Sequence, residues 1–266
     1  MHLAAAHALF KPRPYLGIPS SQHELCVIEA YIMRTAENAL FHPEWKLPID
    51  HIDGWLRVLE AGTTSQQSLL PGHQYPWVGP ISLVLRGYAY RLSCLTHTDS
   101  HESQINDLTR ILDDLQEIIN AGVQDLRPAI GTAQNEFAVR TVYAYSCAFL
   151  AAFLLERAGK KAGDGSRAYW KNGANAAFGI ISSQSAFRPS TVLWPAIVLG
   201  AGATQNEEYD LILSLLGAGS GSSGPGPAGP VAVSLEELWR LAPEDRCAFS
   251  SAGVFANILT SNNVFL

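Results

Sequence analysis

The run Thr191–Ala203 contains no charged residue. A segment of that length has no face for water, so it predicts a buried central helix. Pro195 sits near the start of the run and lacks a backbone N–H. A helix beginning at about Val192 puts that missing donor in the first turn, where no intrahelical acceptor waits for it. Gly200, Ala201, Gly202 and Ala203 strip the far end of side chains. Another chain segment can approach closely there, or a ligand can occupy the room. Thr204 and Glu207 have the spacing of a capping box that opens a following helix. Arg188–Leu216 is therefore the scaffold on which the remaining elements are arranged.

With 266 residues, 47% of them hydrophobic and 16% charged, the chain can bury a sizeable core. The net charge of -6 excludes a broad nucleic-acid footprint, which needs a basic face. Cys26, Cys94, Cys147 and Cys247 lie far apart with no C-x-x-C pair, so buried free thiols in a reducing compartment, cytoplasmic or nuclear, are expected. The opening MHLAAAHALF lacks the basic start of a secretory leader. No uncharged run has the length and composition of a membrane span, so none is expected.

Helix signals dominate and strand signals are nearly absent. Expected helices cover 1–10, Ser21 to about Leu40, Asp50 to Glu60, Pro80 to about Leu95, a strongly periodic stretch through Ile105–Ile119, Thr132 to about Ala158, and Ser166 to about Ser183. The central pair and two late helices follow, the first opened by a capping box at Ser234 and Glu237 and the second by Pro243. Residues 11–19 are an extended Pro-rich connection, 61–76 a polar loop, and 217–230 a flexible Gly/Ser/Pro-rich insertion. The expected fold is one all-α domain over residues 1–266, an irregular array of about ten helices around a buried central helix.

Eight histidines invite a metal reading. His97 and His101 have helical i, i+4 spacing but straddle a polar turn, which reads as surface. In Asp50-His51-x-Asp53, Asp50 is accounted for as a helix cap. No metal site is expected. Nucleotide loops and activated-serine elbows are missing, and no cofactor is expected. The polar set that stands out lies on apolar helices: Arg140 and Tyr143 on one, Arg86, Tyr88, Tyr90 and Arg91 on another. Buried polar groups need partners, and internal hydrogen bonds explain such a set. The same groups around an aromatic wall also make a ligand pocket. The candidate ligand-binding residues are Trp194, Tyr143, Arg140, Tyr88, Arg91, Trp77 and His73, the last two on a loop at the pocket mouth.

Pro14-Tyr15-Leu16-Gly17-Ile18-Pro19 precedes a long helix and a Tyr-rich apolar helix. Leu193-Trp194-Pro195 then leads into Gly200-Ala201-Gly202-Ala203 and the acidic turn Asn206-Glu207-Glu208, with Glu236-Glu237-Leu238-Trp239 later. In that order these motifs resemble the C-terminal effector domain of fungal zinc-cluster transcription factors, over most of residues 14–216 and more loosely 234–266. The resemblance implies an all-helical domain that senses an apolar small molecule. The family's six-cysteine cluster is missing, so no direct nucleic-acid contact is expected, and the chain reads as a fragment or as a free-standing relative. The first reading is a ligand-binding regulatory domain of fungal secondary metabolism. The alternative is a cofactor-free cyclase or isomerase, of the Diels-Alderase type, shaping a terpenoid or polyketide by preorganisation and one hydrogen-bond donor. Its catalytic residues are not specified by the sequence. A protein-interaction module and a homodimer are left open.

Overall fold

The computed structural model describes residues 22–40, 47–57, 83–97, 102–124, 132–160, 167–182, 192–217, 228–241 and 258. Of these, 87% are helical and none is in a strand. The helices are α1 (Gln22–Ala39), α2 (49–57), α3 (Leu83–Leu95), α4 (Glu102–Gln124), α5 (Thr132–Arg157), α6 (Arg167–Ser182), α7 (Leu193–Ala201), α8 (Asn206–Leu215) and α9 (Ala228–Trp239). The expected helix over 1–10, the Pro-rich connection, the loop 61–76 and the helical region after Pro243 lie outside the described residues.

Helix α5 carries the fold, packing on α6 and α4 most extensively and on α3 and α7 as well. Its segment Ala138–Arg157 is long and apolar enough to cross a membrane, the one such helix among the described residues, yet 78% of its most apolar window is buried. Its apolar surface is covered by neighbouring helices on several sides.

Helix α7 is the buried central helix. All nine of its residues are buried, and it touches α1, α5, α8 and α9. Val192 is its N-cap, which puts Pro195 in the first turn, where the absent N–H costs no helical bond. The bare Gly–Ala end is filled by side chains. A Cβ on Gly200 would lie 2.8 Å from the methyls of Leu235 on α9, and one on Gly202 would strike the ring of Phe149 on α5. The Trp239 indole N–H donates to the Gly200 carbonyl at 2.8 Å, fixing α9 to the same end.

Two capping expectations are corrected. Helix α8 starts one residue later than the Thr204–Glu207 spacing implies: Gln205 is the N-cap, and the buried carboxylate of Glu208 accepts from the backbone N–H groups of Thr204 (2.8 Å) and Gln205 (3.2 Å). Tertiary contacts select Glu208, because the exposed Glu207 has no cation from α6 beside it whereas Glu208 meets Lys171 at 2.8 Å. The box at Ser234 is not a start signal either. Helix α9 already begins at Ala228, inside the stretch expected to be a flexible insertion, with Pro230 in its first turn. Ser234 is mid-helix and donates to the Pro230 carbonyl at 2.9 Å.

The C-terminal ends of α1 and α3 are stitched together by side chains. His97, expected at the surface, lies 2.7 Å from the Ala39 carbonyl through Nε2 and is half-buried. Arg157, in the last turn of α5, donates to the Thr96 carbonyl at 3.1 Å. Both contacts satisfy carbonyls that a helix end leaves without intrahelical donors.

Candidate functional site

An open groove of about 630 Å³ lies between the segment 47–53, α3 and α4. Its walls follow from helical periodicity. Arg91, Cys94 and Leu95 share one face of α3, and Gln104, Asp107, Arg110 and Ile111 share one face of α4. The third wall is Leu47 to Asp53, held against α3 by Tyr90. The Tyr90 hydroxyl donates to the Leu47 carbonyl and accepts from the Leu47 N–H, both at 2.6 Å. Burial, with smaller contributions from its neighbours, holds the Tyr90 phenol well above its ordinary pKa, so it remains a neutral donor.

The groove has an apolar side and an ionic side. Leu47, Ile49, Leu95 and Ile111 provide the first. On the second, Arg91 Nη2 meets Asp53 Oδ2 at 2.7 Å between α3 and α2, and Arg110 meets Asp107 at 3.0 Å along α4. Asp50 is exposed in the first turn of α2 and lines the same space. Tyr88 donates to Asp114 Oδ2 at 2.7 Å and joins α3 to α4. Burial first, and then Asp114, push the Tyr88 phenol up to about 12 against the opposing pull of Arg91 and Arg110.

A second space lies inside the core. It measures about 10 Å³ and is lined by Ile32 and Ala36 of α1, Arg86 and Ala89 of α3, Tyr143 of α5 and Trp194 of α7. Tyr143 and Trp194 stack there with ring centroids 5.9 Å apart and planes 13° from parallel. The Trp194 indole N–H donates to Ser93 Oγ at 3.0 Å, so that donor is already used within the core. The room beside Trp194 is on the scale of one water molecule and far too small for a terpenoid.

The expected ligand set is thus divided. Trp194 and Tyr143 meet at the small internal cavity. Arg91 lines the groove, and Tyr88 staples α3 to α4 on the adjoining part of α3. Arg140 is exposed on α5 and lines neither space. Trp77 and His73 lie outside the described residues. Gln104, Asp107, Arg110 and the pairing of Asp53 with Arg91 were missed by sequence reasoning. The signal for Asp53 was its one-turn distance from Asp50, which marks one helix face. Asp114 carries no signal in the sequence for its role; only its distance from Tyr88 shows it.

Among the described residues no group of three or more His, Cys, Asp or Glu is placed to hold a metal ion. Neither Cys94 nor Cys147 is in a disulfide; Cys94 lines the groove and Cys147 is buried, where desolvation pushes its thiol up. Fold and groove together define an all-helical domain with an open amphipathic groove. No family model, curated protein or solved structure matches the chain.

Proposed function

We propose that the chain is a small-molecule-binding helical domain whose ligand lies in the groove between α2, α3 and α4. The observation that carries this is the groove itself: its volume falls within the roughly 300–1,000 Å³ of small-molecule sites, and apolar walls face a few fixed polar groups. The ligand is an apolar body bearing an oxygen function. Its body covers Leu95 and Ile111, and its oxygen accepts from the Arg91 guanidinium, of which Asp53 occupies Nη2. A guanidinium carries five N–H donors, so the ion pair leaves capacity for a ligand. The resemblance to fungal transcription-factor effector domains supports the same class of ligand, sterol-like or polyketide-like, and a regulatory role in fungal secondary metabolism. The two arginines of the groove are each paired with an aspartate of its wall, an arrangement that orients a ligand; binding without turnover is the reading we adopt.

Titration with a fluorescent naphthalene sulfonate probe, displaced by a panel of sterols and polyketide lactones, tests this. Displacement with recovery of the unchanged competitor is expected. Gln104→Trp, which fills the groove from its partly exposed rim, should abolish it. Probe binding that Gln104→Trp leaves intact, or conversion of a competitor to product, would sink the reading.

A further inference from the structure

The second space, between α1, α3, α5 and α7, has a mostly apolar lining, and two buried polar atoms without a protein partner are found on Tyr143, which lines it, and on Glu37, next in sequence to the lining residue Ala36. Tyr143 is 2% exposed, and its hydroxyl has no protein hydrogen-bond partner. Glu37 is 0% exposed; its Oε2 accepts from Arg34 at 2.7 Å, while its Oε1 has no protein partner. Glu37 follows Ala36, which lines the cavity, and its charge acts on the Tyr143 phenol together with that of Arg86. A buried hydroxyl and a buried carboxyl oxygen left without partners cost on the order of 1–3 kcal/mol each. Native cores relieve such groups with internal water, which needs roughly 10–15 Å³ and two to four polar partners. The cavity measures about 10 Å³ and is lined by Arg86 and Tyr143.

We propose that this cavity is a hydration site holding one ordered water, which accepts from the Tyr143 hydroxyl and donates to Glu37 Oε1. The water is a structural ligand of the core and ties α1 to α5 through groups that do not bond directly. It accounts for a tyrosine at a position where phenylalanine would fill the same space. It also separates this cavity from the ligand groove: one has the volume of a water, the other that of an organic molecule.

Tyr143→Phe gives opposite signs for the two states of the cavity. If water is bound, the substitution removes one of its partners, and the unfolding equilibrium constant rises roughly threefold to tenfold, the range of one net hydrogen bond. If the cavity is dry, phenylalanine relieves an unsatisfied hydroxyl and the constant stays level or falls; that outcome overturns the proposal. Combining Tyr143→Phe with Glu37→Met should cost less than the sum of the two, because both act on one water; strict additivity also overturns the bridge. The unmodified protein gives a reading independent of variant folding. Water-to-protein cross-relaxation in NMR should show a long-lived water beside Tyr143 and Ala36, and its absence contradicts the proposal. A bromide soak with anomalous density in the cavity would assign the site to an anion and overturn it as well.

Discussion

The Trp194 indole N–H donates to Ser93 Oγ at 3.0 Å, joining the central helix α7 to α3 inside the core. The Ser93 hydroxyl in turn donates a hydrogen bond to the Ala89 carbonyl at 2.7 Å, so the indole enters a chain of satisfied groups. Trp194→Phe removes the donor and part of the ring volume. A loss of about 2–3 kcal/mol in denaturant-measured stability is expected, a hydrogen bond plus a partial cavity. Ligand affinity in the groove should be unchanged, which separates the architectural role of Trp194 from a binding role.

Glu208 makes stability fall in acid. Burial raises its pKa, but the Lys171 hydrogen bond and charge and the Thr204 and Gln205 N–H groups outweigh burial, so the folded value lies below 4.5. The unfolded chain then binds more protons than the folded one in the window below 4.5, and stability is lost as pH falls through the folded pKa. Urea unfolding across that window should show this slope. Glu208→Gln should flatten it and cost about 2 kcal/mol at neutral pH, the loss of charge-assisted bonds.

Glu37 acts with the opposite sign. Burial raises its pKa above 4.5 against the pull of Arg34, and its own charge acts on the Tyr143 phenol. Here the folded chain holds the extra proton. Its contribution is complete below 4.5 and is lost as pH rises through the folded pKa. Glu37→Gln mimics the protonated side chain, so the variant should be at least as stable as the parent at neutral pH and lack this slope. Denaturation at stepped pH checks both.

Two glycines of α6 predict opposite outcomes for one substitution. A Cβ on Gly173 would collide with the ring of Tyr145 on α5, whereas Gly179 is exposed and a Cβ there meets nothing within 4 Å. Gly173→Ala should destabilise by about 1–3 kcal/mol through overpacking. Gly179→Ala should stabilise by about 0.5–1 kcal/mol, because alanine loses less backbone freedom in a helix. Thermal unfolding of the two variants provides the comparison.

Local patterning made much of the scaffold legible in the sequence. The charge-free run around Ile197 does form the buried helix, Pro195 does fall in its first turn, and the period through Ile105–Ile119 does give α4. Helix starts were less legible where two acids compete, as at Glu207 and Glu208, since the deciding cation is on α6. The start of α9 was hidden because Ala228-Gly229-Pro230 reads as linker until Val231 and Leu235 are seen to pack on the core. The groove was the least legible part. Arg91 and Tyr88 could be picked out as polar residues on an apolar helix, but Asp53, 38 positions from its arginine, is brought there by the fold. Trp194 and Tyr143 were selected together and do meet, across a space too small for an organic ligand.

The central claim is that the groove between α2, α3 and α4 receives the ligand. Amide chemical-shift mapping with a competitor that displaces the naphthalene sulfonate probe tests it most directly. Perturbations centred on Arg91, Leu95, Asp107 and Ile111 are predicted, with little change at Tyr143 and Trp194. Perturbations centred on Tyr143 and Trp194, or none along the groove, would contradict it.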